Sequence, residues 1–252
     1  ADSPDNIIWA PANNRSPYFT DDRGHSWDRV TLQGEVLPFT GSFEHYYPQR
    51  KTLAADRVLP KTFYLFHGGE APNARLAGLW RTRDGGQNWT RVFQGQIAPA
   101  SGAAAKLRAV PGHAGHLFFT SGAITEDSRL RVSRDGGQHW WIDSRVSQVD
   151  DIGFGRAAKG ADYPTVFVSG KVDGVYGIWR STDALRSWQR LTDFPLGSLD
   201  QVTVIEGDKD VFGRVYIGYK GSGWIYGEPG TCDIGASGQR PDQGCSTVSE
   251  GR

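Results

Sequence analysis

Ser133-Arg134-Asp135-Gly136-Gly137-Gln138-His139-Trp140 is nearly repeated as Thr82-Arg83-Asp84-Gly85-Gly86-Gln87-Asn88-Trp89. Two looser copies flank them. Thr20-Asp21-Asp22-Arg23-Gly24-His25-Ser26-Trp27 keeps the order hydroxyl, any, Asp, any, Gly, any, any, Trp. Ser181-Thr182-Asp183-Ala184-Leu185-Arg186-Ser187-Trp188 keeps it except that Leu185 stands in place of the glycine. The tryptophans are 62, 51 and 48 residues apart, a period that predicts an array of similar supersecondary units such as a propeller. The residue types predict a tight turn. Asp and Ser/Thr side chains bond to nearby backbone amides, and Gly86 and Gly137 accept positive φ without steric cost. The Trp is expected to pack under the turn. Short apolar strands precede and follow each copy, so each turn closes a hairpin within one blade.

The octapeptide resembles the Asp-box of sialidases, sortilin-like receptors and several glycosidase families. There it is a folding device, and Asp22, Asp84, Asp135 and Asp183 are accordingly read as structural. Around the boxes at 20–27, 82–89, 133–140 and 181–188, the chain divides into about five units. The expected order in most units is apolar strand, turn, second strand, box, third strand. Thr62 to Phe66, His116 to Thr120 and Thr165 to Gly170 are the clearest strands. The fifth unit, Val202 to Tyr226, has no box. Short strands at even spacing with one turn motif per hairpin predict β-propeller blades over residues 1–228. Five blades could close alone or form part of a seven-bladed or two-propeller protein. The absence of methionine and the start at Ala1 suggest a processed or partial chain.

At 252 residues the chain can bury a large core. The 28 basic and 28 acidic residues cancel, and no basic stripe stands out, so nucleic acid is an unpromising partner. Nothing in the sequence approaches a membrane span. The only cysteines, Cys232 and Cys245, flank a polar stretch in the segment 229–252. A disulfide there would tie the tail down, with a stabilisation of up to about 3 kcal/mol, and would imply an oxidising, extracellular setting. The alternative is two free thiols in a tail. The histidines show no metal-ligand spacing, and neither a metal nor a cofactor is expected.

Four segments resemble glycoside hydrolase family 74, the xyloglucanases and related endo-β-glucanases. They are Ala54-Ala55-Asp56-Arg57-Val58 running to Phe63-Tyr64; Val110-Pro111-Gly112 with Gly115-His116-Leu117; Ile152-Gly153-Phe154-Gly155-Arg156-Ala157-Ala158; and Gly213-Arg214-Val215-Tyr216-Ile217-Gly218 followed by Gly223-Trp224-Ile225-Tyr226-Gly227. They fall in the family's order and match its C-terminal propeller. The resemblance implies a portion of a secreted enzyme that hydrolyses β-1,4-glucans with inversion, this chain forming one wall of the cleft. The polysaccharide and an upstream propeller of the same precursor would be its partners. Inversion needs two carboxyl groups about 6.5–9.5 Å apart. The family carries its acid in a Gly-Asp-x-Gly-Gly-Phe segment and its base in the N-terminal propeller. This chain holds neither segment, so no residue here inherits a catalytic role.

Other acids are weaker candidates. Asp150 and Asp151 are adjacent and should face opposite ways on a strand. Glu44, Asp150, Asp151 and Asp173 are all expected to be solvated loop carboxylates. Sugar faces stack on aromatic rings, and Tyr46, Tyr47 and Trp141 are the candidate platform, with inter-blade packing as the competing role for Trp141. His113 and His116 are expected to be exposed. A non-catalytic carbohydrate- or protein-binding propeller is the alternative function. A sialidase is disfavoured because its arginine triad and Tyr/Glu pair cannot be assembled here.

Overall fold

The computed structural model describes residues 2–10, 16–36, 51–69, 74–98, 104–122, 127–192, 201–221, 223–228 and 248–249. Among them the chain is all β apart from one 3-10 turn, Ala74–Leu76. It forms two compact units, residues 1–144 and 145–252.

Among the described residues the first unit holds three antiparallel sheets of three or four strands and one two-stranded hairpin. β1 (Ile7–Trp9), β2 (Tyr18–Thr20) and β3 (Asp28–Arg29) form the first. A separate hairpin of β4 (Thr31–Leu32) and β5 (Glu35–Val36) follows, turned by Gln33 at φ 55° and Gly34 at φ 77°. The expected single return strand from Trp27 to Leu32 is therefore two short pieces. β6 (Leu53–Ala55), β7 (Phe63–His67), β8 (Gly78–Thr82) and β9 (Thr90–Gln94) make the second sheet. The third is β10 (Lys106–Ala109), β11 (Leu117–Thr120), β12 (Arg131–Ser133) and β13 (Trp141–Ile142).

The second unit holds two sheets. β14 (Val146–Gly155), β15 (Thr165–Val172), β16 (Val175–Ser181) and β17 (Gln189–Thr192) form one. β18 (Val202–Gly207), β19 (Val215–Tyr219), β20 (Trp224–Gly227) and β21 (Val248–Ser249) form the other. Every sheet pairs its strands in chain order. Sheets two to five carry four strands, one more than the sequence pattern led us to expect. In sheets two to four the recurring turn joins the third and fourth strands, and in the three-stranded first sheet it joins the second and third. Residues 248–249, within the segment read as a disulfide-tied tail, form a strand, because Tyr226 pairs with Ser249 and Gly227 with Val248.

Burial explains why neighbouring sheets stack face to face. Ile8 and Phe19 of the first sheet pack on Phe63, Leu65 and Trp80 of the second. The opposite face of the second, with Tyr64, Phe66 and Leu79, packs on Leu107, Leu117 and Phe119 of the third. Side chains alternate across a strand, so β7 feeds two cores and all five of its residues are buried. In the second unit Phe167 and Ile178 meet Val202, Ile205, Val215 and Ile217. There the innermost strands nearly touch. A Cβ on Gly153 would lie 2.5 Å from the Ile205 carbonyl oxygen, and one on Gly207 would lie 2.6 Å from the Gly155 Cα. The glycines of Ile152-Gly153-Phe154-Gly155 are thus set by backbone approach.

Candidate functional site

The four turns share one hydrogen-bond scheme. The leading hydroxyl donates to the Asp carboxylate: Thr20 to Asp22 at 2.6 Å, Thr82 to Asp84 at 2.7 Å, Ser133 to Asp135 at 2.8 Å and Ser181 to Asp183 at 2.9 Å. The same hydroxyl oxygen accepts the amide of the fifth residue, Gly24, Gly86, Gly137 or Leu185, at 2.9–3.0 Å. The carboxylate accepts the amide of the seventh residue, Ser26, Asn88, His139 or Ser187, at 2.9–3.1 Å. In the first three copies the Trp indole N–H closes the turn on the carbonyl of the glycine three residues before it, at 2.9–3.1 Å. Leu185 adopts φ 72° after Ala184 at φ 58°, so the divergent copy pays left-handed strain to keep the same backbone. The tryptophans cover their turns less completely than expected: Trp27 is 40% exposed.

These bonds hold the carboxylates ionised. The amide and hydroxyl of Ser26 with the hydroxyl of Thr20 push Asp22 far below the usual carboxylate range. Burial would raise Asp135, but hydrogen bonds from His139, Ser133 and Gln138 outweigh it and hold it at about 2. Burial is likewise outweighed at Asp84 and Asp183, both lowered. A carboxyl so committed is a poor proton donor near neutral pH.

The other acids are consumed differently. Asp150 and Asp151 are buried in β14, not solvated loop carboxylates as expected. An irregularity between Val149 and Asp151 breaks strict alternation, so both side chains point into protein. Asp151 accepts the Ile205 amide at 2.9 Å. Asp150 accepts from the Tyr176 hydroxyl and from Gln148 Nε2 at 3.0 Å. Burial, and then the neighbouring Asp150 charge, pushes the Tyr176 phenol up. Asp173 is exposed, as expected, in the β15–β16 turn at φ 49°. Glu44, Tyr46, Tyr47, Cys232 and Cys245 lie outside the described residues. Among the described residues no group of three or more His, Cys, Asp or Glu side chains is placed to hold a metal ion, and no helix is long and apolar enough to cross a membrane.

Trp141 is 39% exposed and lies beside Arg134, whose guanidinium carbon is 5.9 Å from the ring centroid. It is a surface ring, not one closed between sheets. The sequence reading missed a second aromatic ledge. On β20 Trp224 and Tyr226 stack with centroids 6.4 Å apart, and Tyr216, the register partner of Tyr226, adds a third ring at 6.1 Å. Trp224 is 58% exposed. The alternation Trp224-Ile225-Tyr226 was the available signal. His113 and His116 are half-buried and stacked at 5.3 Å rather than exposed. Burial and the neighbouring His113 lower His116.

A pocket of about 200 Å³ opens between the second and third sheets. Tyr64 and Arg81 lie at its base, with Arg83, Arg134, Gly136 and Gln138 from the two turns around it. The sequence reading passed over these arginines, although Arg83 and Arg134 occupy the same position in successive octapeptides.

Antiparallel sheets stacked through buried faces, four of the five carrying a hydroxyl–Asp turn, are β-propeller blades. No family model matches the chain. Xyloglucanase Xgh74A of Acetivibrio thermocellus is 34% identical over 231 residues, covering 88% of this chain and 23% of that protein. A xyloglucanase of Paenibacillus sp is 30% identical, covering 88% and 19%. A probable oligoxyloglucan-reducing end-specific xyloglucanase of Neosartorya fischeri is 31% identical, covering 90% and 25%. Among solved structures, the GH74 enzyme of Niastella koreensis superposes with a TM-score of 0.66 at 26% identity, over 88% of this chain and 29% of that one. The chain is therefore similar to part of the GH74 xyloglucanases, as its four sequence segments implied. It spans about a quarter of the length of the curated relatives it matches.

Proposed function

We propose that this chain is a portion of a secreted, xyloglucan-active glycoside hydrolase, and that it supplies one wall of a glucan cleft. The observation that carries the reading is the 34% identity to a xyloglucanase sustained over 88% of the chain. The acid and base would come from outside the chain, in an upstream propeller of the same precursor. Three findings support this placement. The turn carboxylates are locked to amides, Asp151 is spent on the Ile205 amide, and Asp150 is enclosed with Tyr176. What remains exposed is suited to holding sugar: flat rings at Trp141 and Trp224, which can stack on the apolar faces of pyranoses.

A reducing-end assay of the 252-residue chain on xyloglucan and mixed β-glucans tests the proposal, run beside affinity electrophoresis in the same polymers. The expected result is retention of the polymer without new reducing ends. Product formation abolished by Asp150→Ala or Asp151→Ala would overturn the placement of the acid and base. Neither retention nor hydrolysis would refute the cleft wall.

A further inference from the structure

The pocket between the second and third sheets of the first unit is built as an anion receptor. Arg83 and Arg134 each follow the leading hydroxyl of adjacent turns, and Arg81 ends the segment before the first of those turns. The stacking of the two sheets brings all three arginines to the lining of one concavity. Among the described residues none of them is paired with a carboxylate. The two nearby acids, of which Asp135 lines the pocket, are already engaged by other donors. Asp56 accepts the amides of Val58, Leu59 and Gly115 at 2.8–3.0 Å, and Asp135 is committed to its own turn.

A second observation is independent of charge. Tyr64 is fully buried and lines the pocket, and among the described residues its hydroxyl finds no acceptor for its proton. A buried phenol whose proton has no acceptor is destabilising, so a native site of this kind asks for an acceptor. Burial, and then the Asp56 charge, pushes the Tyr64 phenol up, which keeps its proton available for donation. Its neighbour Arg81 offers only donors. The two groups converge over Gly136. The point where a Cβ would sit is 2.9 Å from Arg81 Nη1 and 3.3 Å from the Tyr64 hydroxyl oxygen. Glycine leaves that point open, and its φ of +74° suits no other residue as well.

We propose that this pocket binds a small oxyanion, with Arg81 and Tyr64 donating at its base and Arg83 and Arg134 closing over it from the rim. Its volume of about 200 Å³ admits phosphate, sulfate or the carboxylate end of an acidic sugar, and arginine forks match the geometry of all three. An anion here would join the turn of the second sheet to that of the third. The proposal is independent of the glucan reading, because xyloglucan need not enter the pocket.

Isothermal titration of the full chain with sodium phosphate, sodium sulfate and sodium glucuronate, at low and constant ionic strength set with chloride, tests it. Saturable one-site binding of at least one anion is expected, weakened by added salt as exposed charges are screened. Response to phosphate or sulfate alone identifies a free anion; tighter binding of glucuronate identifies an acidic sugar. Tyr64→Phe and Arg81→Gln should each weaken binding about tenfold or more, the scale of a hydrogen bond to a charged group. Arg83→Gln and Arg134→Gln alter exposed side chains, so they carry the test even where a base substitution disturbs packing. Lys159→Gln, exposed and in the other unit, should leave affinity unchanged. Flat titrations with all three anions, or equal affinity in wild type, Arg83→Gln and Arg134→Gln, would overturn the proposal.

Discussion

Replacing His67 by Asn should remove a specific part of the chain's acid sensitivity. His67 ends β7, is 1% exposed, and accepts the Gly69 amide through Nδ1 at 3.0 Å. That bond fixes the tautomer: a nitrogen that accepts cannot carry the proton, so the neutral ring is protonated at Nε2. Nε2 is itself buried without a partner. Charging the ring would break the Gly69 bond and strand a cation in the core, and burial lowers the imidazole from 6.5 to about 4. The folded pKa lies below the unfolded one, so the unfolded chain binds the proton first. Stability from this group is complete above about pH 6.5 and declines as pH falls towards 4. Integration of the linkage relation between pH 7.5 and 5.0 gives a loss of about 2 kcal/mol. Asn can still accept the Gly69 amide but cannot titrate. Urea denaturation of wild type and His67→Asn at both pH values measures the effect. The variant starts weaker because of its lost ring volume, but its decline between the two values should be smaller by about 2 kcal/mol. Equal declines in the two proteins would refute the assignment of His67 as a buried neutral imidazole.

Three further outcomes follow from the geometry. Gly137→Ala places a Cβ 2.1 Å from Leu79 Cδ2 at a φ of +87°, and strain with overpacking should cost about 2–4 kcal/mol, read as a lowered urea midpoint. Leu185→Gly relieves about 1–2 kcal/mol of left-handed strain but forfeits a side chain that is 5% exposed. Since burying a leucine is worth about 1.5–3 kcal/mol and a cavity adds to the loss, the variant should be less stable than wild type; a gain in thermal midpoint would show that strain dominates. Trp141→Ala should lower polymer retention in affinity electrophoresis severalfold while leaving the urea midpoint within about 0.5 kcal/mol, as befits a surface substitution; unchanged retention would remove Trp141 from the sugar platform.

Much of the architecture was legible because the turns are local. Hydroxyl, Asp and Trp find one another within eight residues, so their spacing specifies the bonds whatever the sheets do. The glycine is less constraining than its recurrence suggests, since Leu185 reaches the same left-handed backbone in exchange for burial. The extra strand of the second sheet was harder to see. Leu53–Ala55, the first strand of that sheet, is three residues long and mostly alanine, and it is a strand because β7 supplies its partners. The acids were misread for a related reason. Alternation predicts opposite faces for Asp150 and Asp151, yet the register irregularity beside Val149 is a property of the pairing with β15, not of β14 alone. The arginine pocket was hidden likewise. Arg83 and Arg134 are 51 residues apart and become neighbours only when the two sheets stack.

The acid pair bears on where catalysis can reside. A general acid must reach the leaving oxygen and release its proton in the transition state. Asp150 is 4% exposed and Asp151 fully buried, so neither carboxyl can approach a polymer chain without unpacking β14. Each also answers a structural need. Without Asp151 the Ile205 amide, on the strand that approaches Gly153 most closely, would lose its acceptor. Without Asp150 the Tyr176 hydroxyl would lose its carboxylate acceptor. The turn carboxylates are more accessible but are held ionised by amide donors, which stabilise the wrong protonation state for an acid and draw lone pairs away from a water. A surface that offers rings and arginines while committing these carboxylates to its own folding is equipped to hold a polymer. The commitment of these carboxylates to the fold supports the proposal that the acid and base lie on another part of the protein.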